Sequence, residues 1–199
     1  MSVGLRERKK LKTRAAIQKE AMRLFLEKGF EGTTIEEIAE AVEISPSTFF
    51  NYFPSKEDVV FQDDLDPLIL TAFNSQPSDV QPVAALRQAM RAVFSQLTPE
   101  QDLLMRERTR LMASTPELRS AMLSQFASLV DQIAELLASR VGRRADDFAV
   151  RNLAGALLGV LMSAMVAIAE NPKADMIQLV DQAMAHLEAG LPLDWTPKS

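Results

Sequence analysis

The chain has no cysteine and one histidine, His186. The first absence removes disulfide frameworks, thiolate metal sites and thiol nucleophiles together, and fits a reducing cytoplasm. The second leaves no Glu-x-x-His pair for a di-metal carboxylate centre, because no Glu stands three residues before His186. There is no glycine-rich phosphate loop and no nucleophile–base pair at readable spacing, so nothing points to an enzyme, a cofactor or a metal. The acidic pairs Asp63–Asp64 and Asp146–Asp147 read as exposed acids, the latter near a helix start. Met1–Lys10 is charged and lacks the apolar stretch of a secretory signal, which predicts a protein that stays in the cytoplasm. Leu153–Ala169 runs seventeen residues without a charge, just short of the roughly 18–20 of a membrane span. With Arg151 and Glu170 at its edges, it is expected to be a helix buried among protein neighbours rather than a span.

Alternating strand patterns, internal repeats and low-complexity tracts are also missing. Helical spacing runs throughout, so the 199 residues predict an all-α protein with about nine helices and enough length to bury a core. Charge is unevenly placed. Residues 1–28 hold nine Lys or Arg against three Glu, a net +6, and with −5 for the whole chain the remainder carries −11. A basic end on an acidic protein suits either contact with a polyanion or a solubilising tail.

The first helix is predicted over about Arg6–Lys28, with Ile17, Ala21, Leu24 and Phe25 on one face and Gly29 ending it at C′. Thr34-Ile35-Glu36-Glu37 has the spacing of a capping box and opens a second helix with Ile35, Ile38, Ala39 and Val42 inward. Ser45 as N-cap and Pro46 at N1 open a third, which ends near Phe53 and Pro54. Ser55-Lys56-Glu57-Asp58 then starts a fourth helix through Leu65, which Asp66-Pro67 ends or kinks. Two short helices joined by a tight turn behind a basic helix form the unit that lays its second helix in the DNA major groove. Phe49 and Phe53 can pack inward on Ile38 and Val42, leaving Ser47, Thr48, Asn51 and Tyr52 for bases or phosphates.

The runs Thr34-Ile35-Glu36-Glu37-Ile38-Ala39 and Ile44-Ser45-Pro46-Ser47-Thr48-Phe49-Phe50-Asn51-Tyr52-Phe53-Pro54-Ser55-Lys56-Glu57-Asp58 resemble the TetR family of bacterial regulators, as does the upstream Leu24-Phe25-Leu26-Glu27-Lys28-Gly29-Phe30. The likeness covers roughly residues 14–61. It implies a homodimer on a palindromic double-stranded DNA operator, a repressor released when a small molecule binds the C-terminal domain; an activator or an adaptor without ligand-driven release is the alternative. It also implies that Thr48, Tyr52 and Lys56 meet phosphates and that Pro46, Ser47 and Asn51 lie near bases. Ser45 belongs to the same surface, and Thr34 is first a cap whose neighbouring amides can face a phosphate. Two positions depart from the pattern: Glu43 stands where many relatives have glycine, and Phe50 where a phosphate-contacting tyrosine is common. Arg6, Arg8, Lys9 and Lys10 either enter a minor groove or stay unordered.

Beyond a loop over residues 74–82, helices are predicted at about Pro82–Leu97, Pro99–Met112, Pro116–Val141, Asp146–Glu170 and Lys173–Ala189. The domain reading is a basic arm at 1–10, a DNA-binding domain at 11–71 and a helical effector and dimerisation domain at 72–199. Met90, Phe94, Met105, Met112, Met122, Phe126, Met162 and Met165 are soft side chains, most of them core and some expected to line a pocket for an elongated apolar effector. Met105–Arg119, with Pro116-Glu117-Leu118-Arg119, is similar to a branch of the family linked to acyl-coenzyme A compounds, and Arg106, Arg110 and Arg119 are either phosphate partners or surface charges. Gly155, Gly159, Ser163 and Ala167 recur every fourth residue. That stripe is either internal packing or a dimer face shared with Met176, Val180, Met184 and Leu187.

Overall fold

Capping chemistry sets where most helices begin. The computed structural model describes residues 4–62, 65–171 and 174–193. Among them are eleven α-helices and no strand: α1 (Leu5–Lys28), α2 (Ile35–Ala41), α3 (Pro46–Phe50), α4 (Lys56–Phe61), α5 (Asp66–Asn74), α6 (Pro82–Phe94), α7 (Pro99–Ser114), α8 (Pro116–Ser124), α9 (Phe126–Val141), α10 (Phe148–Glu170) and α11 (Met176–Glu188). The chain divides into two compact units, Met1–Asp63 and Asp64–Ser199. Asp63, Asp64, Pro172 and Lys173 fall outside the described residues, as do Met1–Val3 of the expected arm and the Arg6 side chain.

Eleven helices stand where about nine were expected, for two local reasons. Asp66-Pro67 opens α5 instead of ending α4, since proline in a first turn lacks only an N–H that has no helical partner there. The expected Pro116–Val141 helix breaks at Gln125, whose N–H turns back to the carbonyls of Ala121 and Met122. No proline or glycine marks that break.

In the first unit, α1 presents Ile17, Ala21, Leu24 and Phe25 to the core, where Ile38, Ala39, Phe49, Phe53, Val59 and Val60 join them. Gly29, at φ 80°, ends the helix in a conformation that L side chains resist. Gly32 is required for a different reason, because a Cβ there would lie 2.5 Å from the Lys28 carbonyl oxygen.

In the second unit, α5 buries Phe73 in a core built from α6, α9, α10 and α11, including Ala85, Ala89, Ala134, Leu137, Ala154, Leu157 and Met184. This packing moves the unit boundary from the expected 71/72 to 63/64. Arg140 of α9 pins the loop after α5: its guanidinium donates to the Val80 carbonyl at 2.9 Å and to that of Pro77, and it lies 5.2 Å from the Phe73 ring centroid. Between α6 and α11, Arg87 grips Asp181 with two bonds of 2.8 and 2.9 Å and reaches Glu188 at 3.1 Å. The Asp181 carboxyl is held below its ordinary range, chiefly by the Arg87 hydrogen bond.

α10 spans 23 residues and is long and apolar enough to cross a membrane, yet only 22% of its most apolar window is buried within the chain. Asp147 caps it by accepting from the amides of Ala149 and Val150. Val150, Ala154, Leu157, Leu158, Ala164 and Ile168 face the bundle. Of the helix expected to be buried among protein neighbours, its own chain therefore covers one side.

Candidate DNA-binding surface

The segment 34–53 is held together by caps and by two buried rings. Thr34 accepts from the Glu37 amide at 3.2 Å while the Glu37 carboxylate accepts from the Thr34 amide at 3.0 Å. Lys28 donates to the same carboxylate at 2.6 Å and, with the Thr34 amide, draws the Glu37 pKa down. After α2 the chain makes a Schellman turn, with the Ile44 N–H on the Ala39 carbonyl and the Glu43 N–H on that of Glu40. Glu43 occupies the C′ position at φ 56°, so the turn follows the glycine path although a glutamate stands there.

Ser45 caps α3 by accepting from the Thr48 amide at 3.1 Å, and its hydroxyl lies 2.8 Å from those of both Ser47 and Thr48. Phe49 and Phe53 are fully buried, with ring centroids 5.9 Å apart, and anchor α3 from below. Pro46, Ser47, Phe50 and Asn51 are therefore exposed, and Thr48 and Tyr52 are half-buried at the flanks.

Lys56, expected on a phosphate, has a structural task that spacing did not reveal. Its ammonium donates to the carbonyls of Phe30 at 2.7 Å and Thr33 at 2.9 Å, and lies 4.2 Å from the Phe30 ring centroid. It thus clips α4 to the turn before α2, and one of its three N–H donors is left over from those two bonds. Arg14 is also structural, donating to Gln62 at 2.9 Å and stacking 4.9 Å from the Phe53 centroid. Gln18 ties α1 to α4 through the carbonyls of Val59 and Gln62. Arg23 pairs with Glu20 and Glu27 on its own helix. Arg8, Lys9, Lys10, Lys12 and Lys19 are exposed cations, and Leu5–Lys10 is helical, so this part of the expected arm continues α1.

In the second unit the expected pocket residues separate. Met90, Phe94 and Met105 meet in one cluster with Ile168 and Met176. Met162 borders the main core. Met112, Met122 and Met165 are half-buried, and Phe126 is 38% exposed. A cavity of about 10 Å³ lies between α6 and α11, lined by Met90, Phe94, Ile177, Val180 and Met184 with Arg87, Arg91 and Asp181. Of the α11 residues expected on a dimer face, Met176 and Met184 are buried in their own bundle, and Val180 and Leu187 are half-buried against its core. The α10 half stays open, since a Cβ on Gly155 or Gly159 would meet nothing within 4 Å and Ser163 is exposed.

Residues 17–62 match the family model described as "Bacterial regulatory proteins, tetR family", and residues 80–192 match the one described as "MftR C-terminal domain". The HTH-type transcriptional regulator TcmR of Streptomyces glaucescens is 37% identical over 151 residues, covering 72% of this chain and 67% of that protein. The regulator MftR of Mycobacterium tuberculosis is 28% identical, covering 86% of this chain and 87% of its own. The solved structure of Thermus thermophilus FadR, a TetR-family repressor in complex with lauroyl-CoA, superposes with a TM-score of 0.55 at 27% identity, covering 94% of this chain and 98% of that one. These relatives are regulators rather than enzymes. With a capped two-helix reader ahead of a helical C-terminal unit, and family models matching in both, the chain belongs to the TetR family of DNA-binding transcriptional regulators.

Proposed function

We propose that the protein is a homodimeric repressor that holds a palindromic operator through α3 and releases it when a largely apolar small molecule enters the C-terminal unit. The observation that carries this is the outward arc of α3, fixed from below by Phe49 and Phe53 and from its start by the Ser45 cap. Ser47 and Asn51 lie toward base edges, Pro46 packs beside them, and the hydroxyls of Ser45, Thr48 and Tyr52 serve phosphates together with the amides beside the Thr34 cap and the remaining Lys56 N–H. The exposed cations of residues 8–12 add nonspecific attraction. A DNA target fits a protein of the cytoplasm. In domain terms, residues 1–10 are a basic lead-in, the rest of the unit that ends at Asp63 carries the reader, and the unit from Asp64 carries effector binding and dimerisation.

The second copy covers the open stripe of α10, where Gly155, Gly159, Ser163 and Ala167 allow close helix approach and the half-exposed Val166 supplies apolar area. The effector enters between α6 and α11 against Met90, Phe94 and Met184, which line the small cavity there. The lauroyl-CoA held by the Thermus thermophilus relative supports an elongated acyl compound as the ligand class.

The test is titration onto the intergenic DNA upstream of the protein's own gene at several salt concentrations. A specific complex with a steep salt slope is expected, and Lys56→Ala should weaken it with a shallower slope; equal binding to random duplex sinks the operator reading. Lauroyl-CoA should raise the melting temperature and lower operator affinity together, because the two effects are linked. Failure of both overturns the acyl-ligand assignment.

A further inference from the structure

Phe50 is 51% exposed on the helix proposed to enter the major groove. The core of the unit does not need it, because Phe49 and Phe53 already fill the space beneath α3 at 0% exposure. Its ring meets that of Phe49 edge-on, with centroids 5.6 Å apart and planes at 89°, so a buried anchor limits where it can point. It lies one turn after Pro46 and shares the exposed arc with Ser47 and Asn51. The Ser45 hydroxyl lies 2.8 Å from those of Ser47 and Thr48, so part of the polar capacity beside Phe50 is engaged within the protein. A phenyl ring offers no hydroxyl to a phosphate. On the major-groove floor the one apolar group is the thymine 5-methyl, and aromatic and aliphatic side chains are its natural partners.

We propose that Phe50 is a specificity-determining residue that reads the 5-methyl group of a thymine in each operator half-site, with Pro46 as its apolar neighbour. The inference rests on the operator-binding reading above and assigns Phe50 a base rather than a lost phosphate contact. Burying one methyl changes affinity by about fourfold, so two symmetric half-sites give about fifteenfold.

The experiment begins with the full-length protein selecting its site from random duplex DNA. Each thymine of that site is then replaced by uracil, which removes only the methyl, and binding is measured by fluorescence anisotropy. One thymine per half-site should show a loss of about fourfold for the wild type, while Phe50→Ala binds the thymine and uracil versions equally. Phe50→Leu should retain part of the discrimination, and unchanged melting temperatures show that both variants are folded. If the wild type ignores every thymine-to-uracil change, or if discrimination survives in Phe50→Ala, the proposal is overturned. A selection that enriches no site overturns the operator reading and this proposal together, whereas an enriched site without methyl dependence overturns this proposal alone.

Discussion

The N-terminal unit closes on itself, whereas the C-terminal unit leaves a face unfinished. In the first, helices of seven, five and six residues are too short to persist alone, and each starts from a side-chain cap at Thr34, Ser45 or Ser55. Beneath them Phe25 pairs with Phe30 at 5.0 Å and Phe49 with Phe53 at 5.9 Å, so ring packing replaces helix length. In the second, helices of up to 23 residues pack through alanine, leucine and methionine, and α10 keeps a smooth outer stripe. A DNA reader must hold a few side chains in one place. The ligand-responsive dimer proposed above needs surfaces that can slide, open or pair, and small residues with soft cores suit that need.

The largest test of this difference is Phe49→Ala, which should remove about 3–5 kcal/mol from the N-terminal unit. Calorimetry should show its transition falling while that of the C-terminal unit stays; equal falls in both would mean that the units are not separately closed. Next is Gly159→Arg, placed where a new side chain meets nothing within the chain. Sedimentation should show a folded monomer, with operator affinity down by about a hundredfold, or roughly 2.7 kcal/mol; a dimer of normal strength would move the interface elsewhere.

A smaller effect concerns acid. The folded-state pKa of Asp181 is depressed, so its pairing with Arg87 stabilises the second unit in full above the unfolded value. The contribution fades as pH falls from about 3.9 through the depressed value. Asp181→Asn should therefore cost about 1 kcal/mol near neutrality, and urea melts should show wild type and variant converging below about pH 3. The smallest is Glu43→Gly, which relieves a left-handed glutamate in the turn after α2 and should add about 1 kcal/mol to the first unit after the extra chain entropy of glycine is offset.

Much of the reader was legible because its signals are local. A hydroxyl three residues before a Glu, or a serine before a proline, determines a cap within one turn of chain. Lys56 was legible as part of a pattern but not as a clip, since its carbonyl partners lie 23 and 26 residues away and belong to the backbone. The same distance problem hid Arg140 and the Arg87–Asp181 pair. The break at Gln125 had no proline or glycine to announce it. On α11, a period near 3.6 identified the stripe Met176, Val180, Met184 and Leu187, but a stripe does not name its neighbour, and here that neighbour is the chain's own bundle.

The hydroxyls of Ser45, Ser47 and Thr48 bear on the entropy of recognition. Their mutual bonds already restrict three rotamers in the free protein. Ordering a side chain at an interface costs about 0.5–1.5 kcal/mol, and here part of that loss occurs during folding rather than on the DNA. Engaging a phosphate then requires a hydroxyl proton to swing, not a side chain to be found. A Ser45→Ala change would weaken operator binding through Ser47 and Thr48 even if Ser45 itself never touched the duplex.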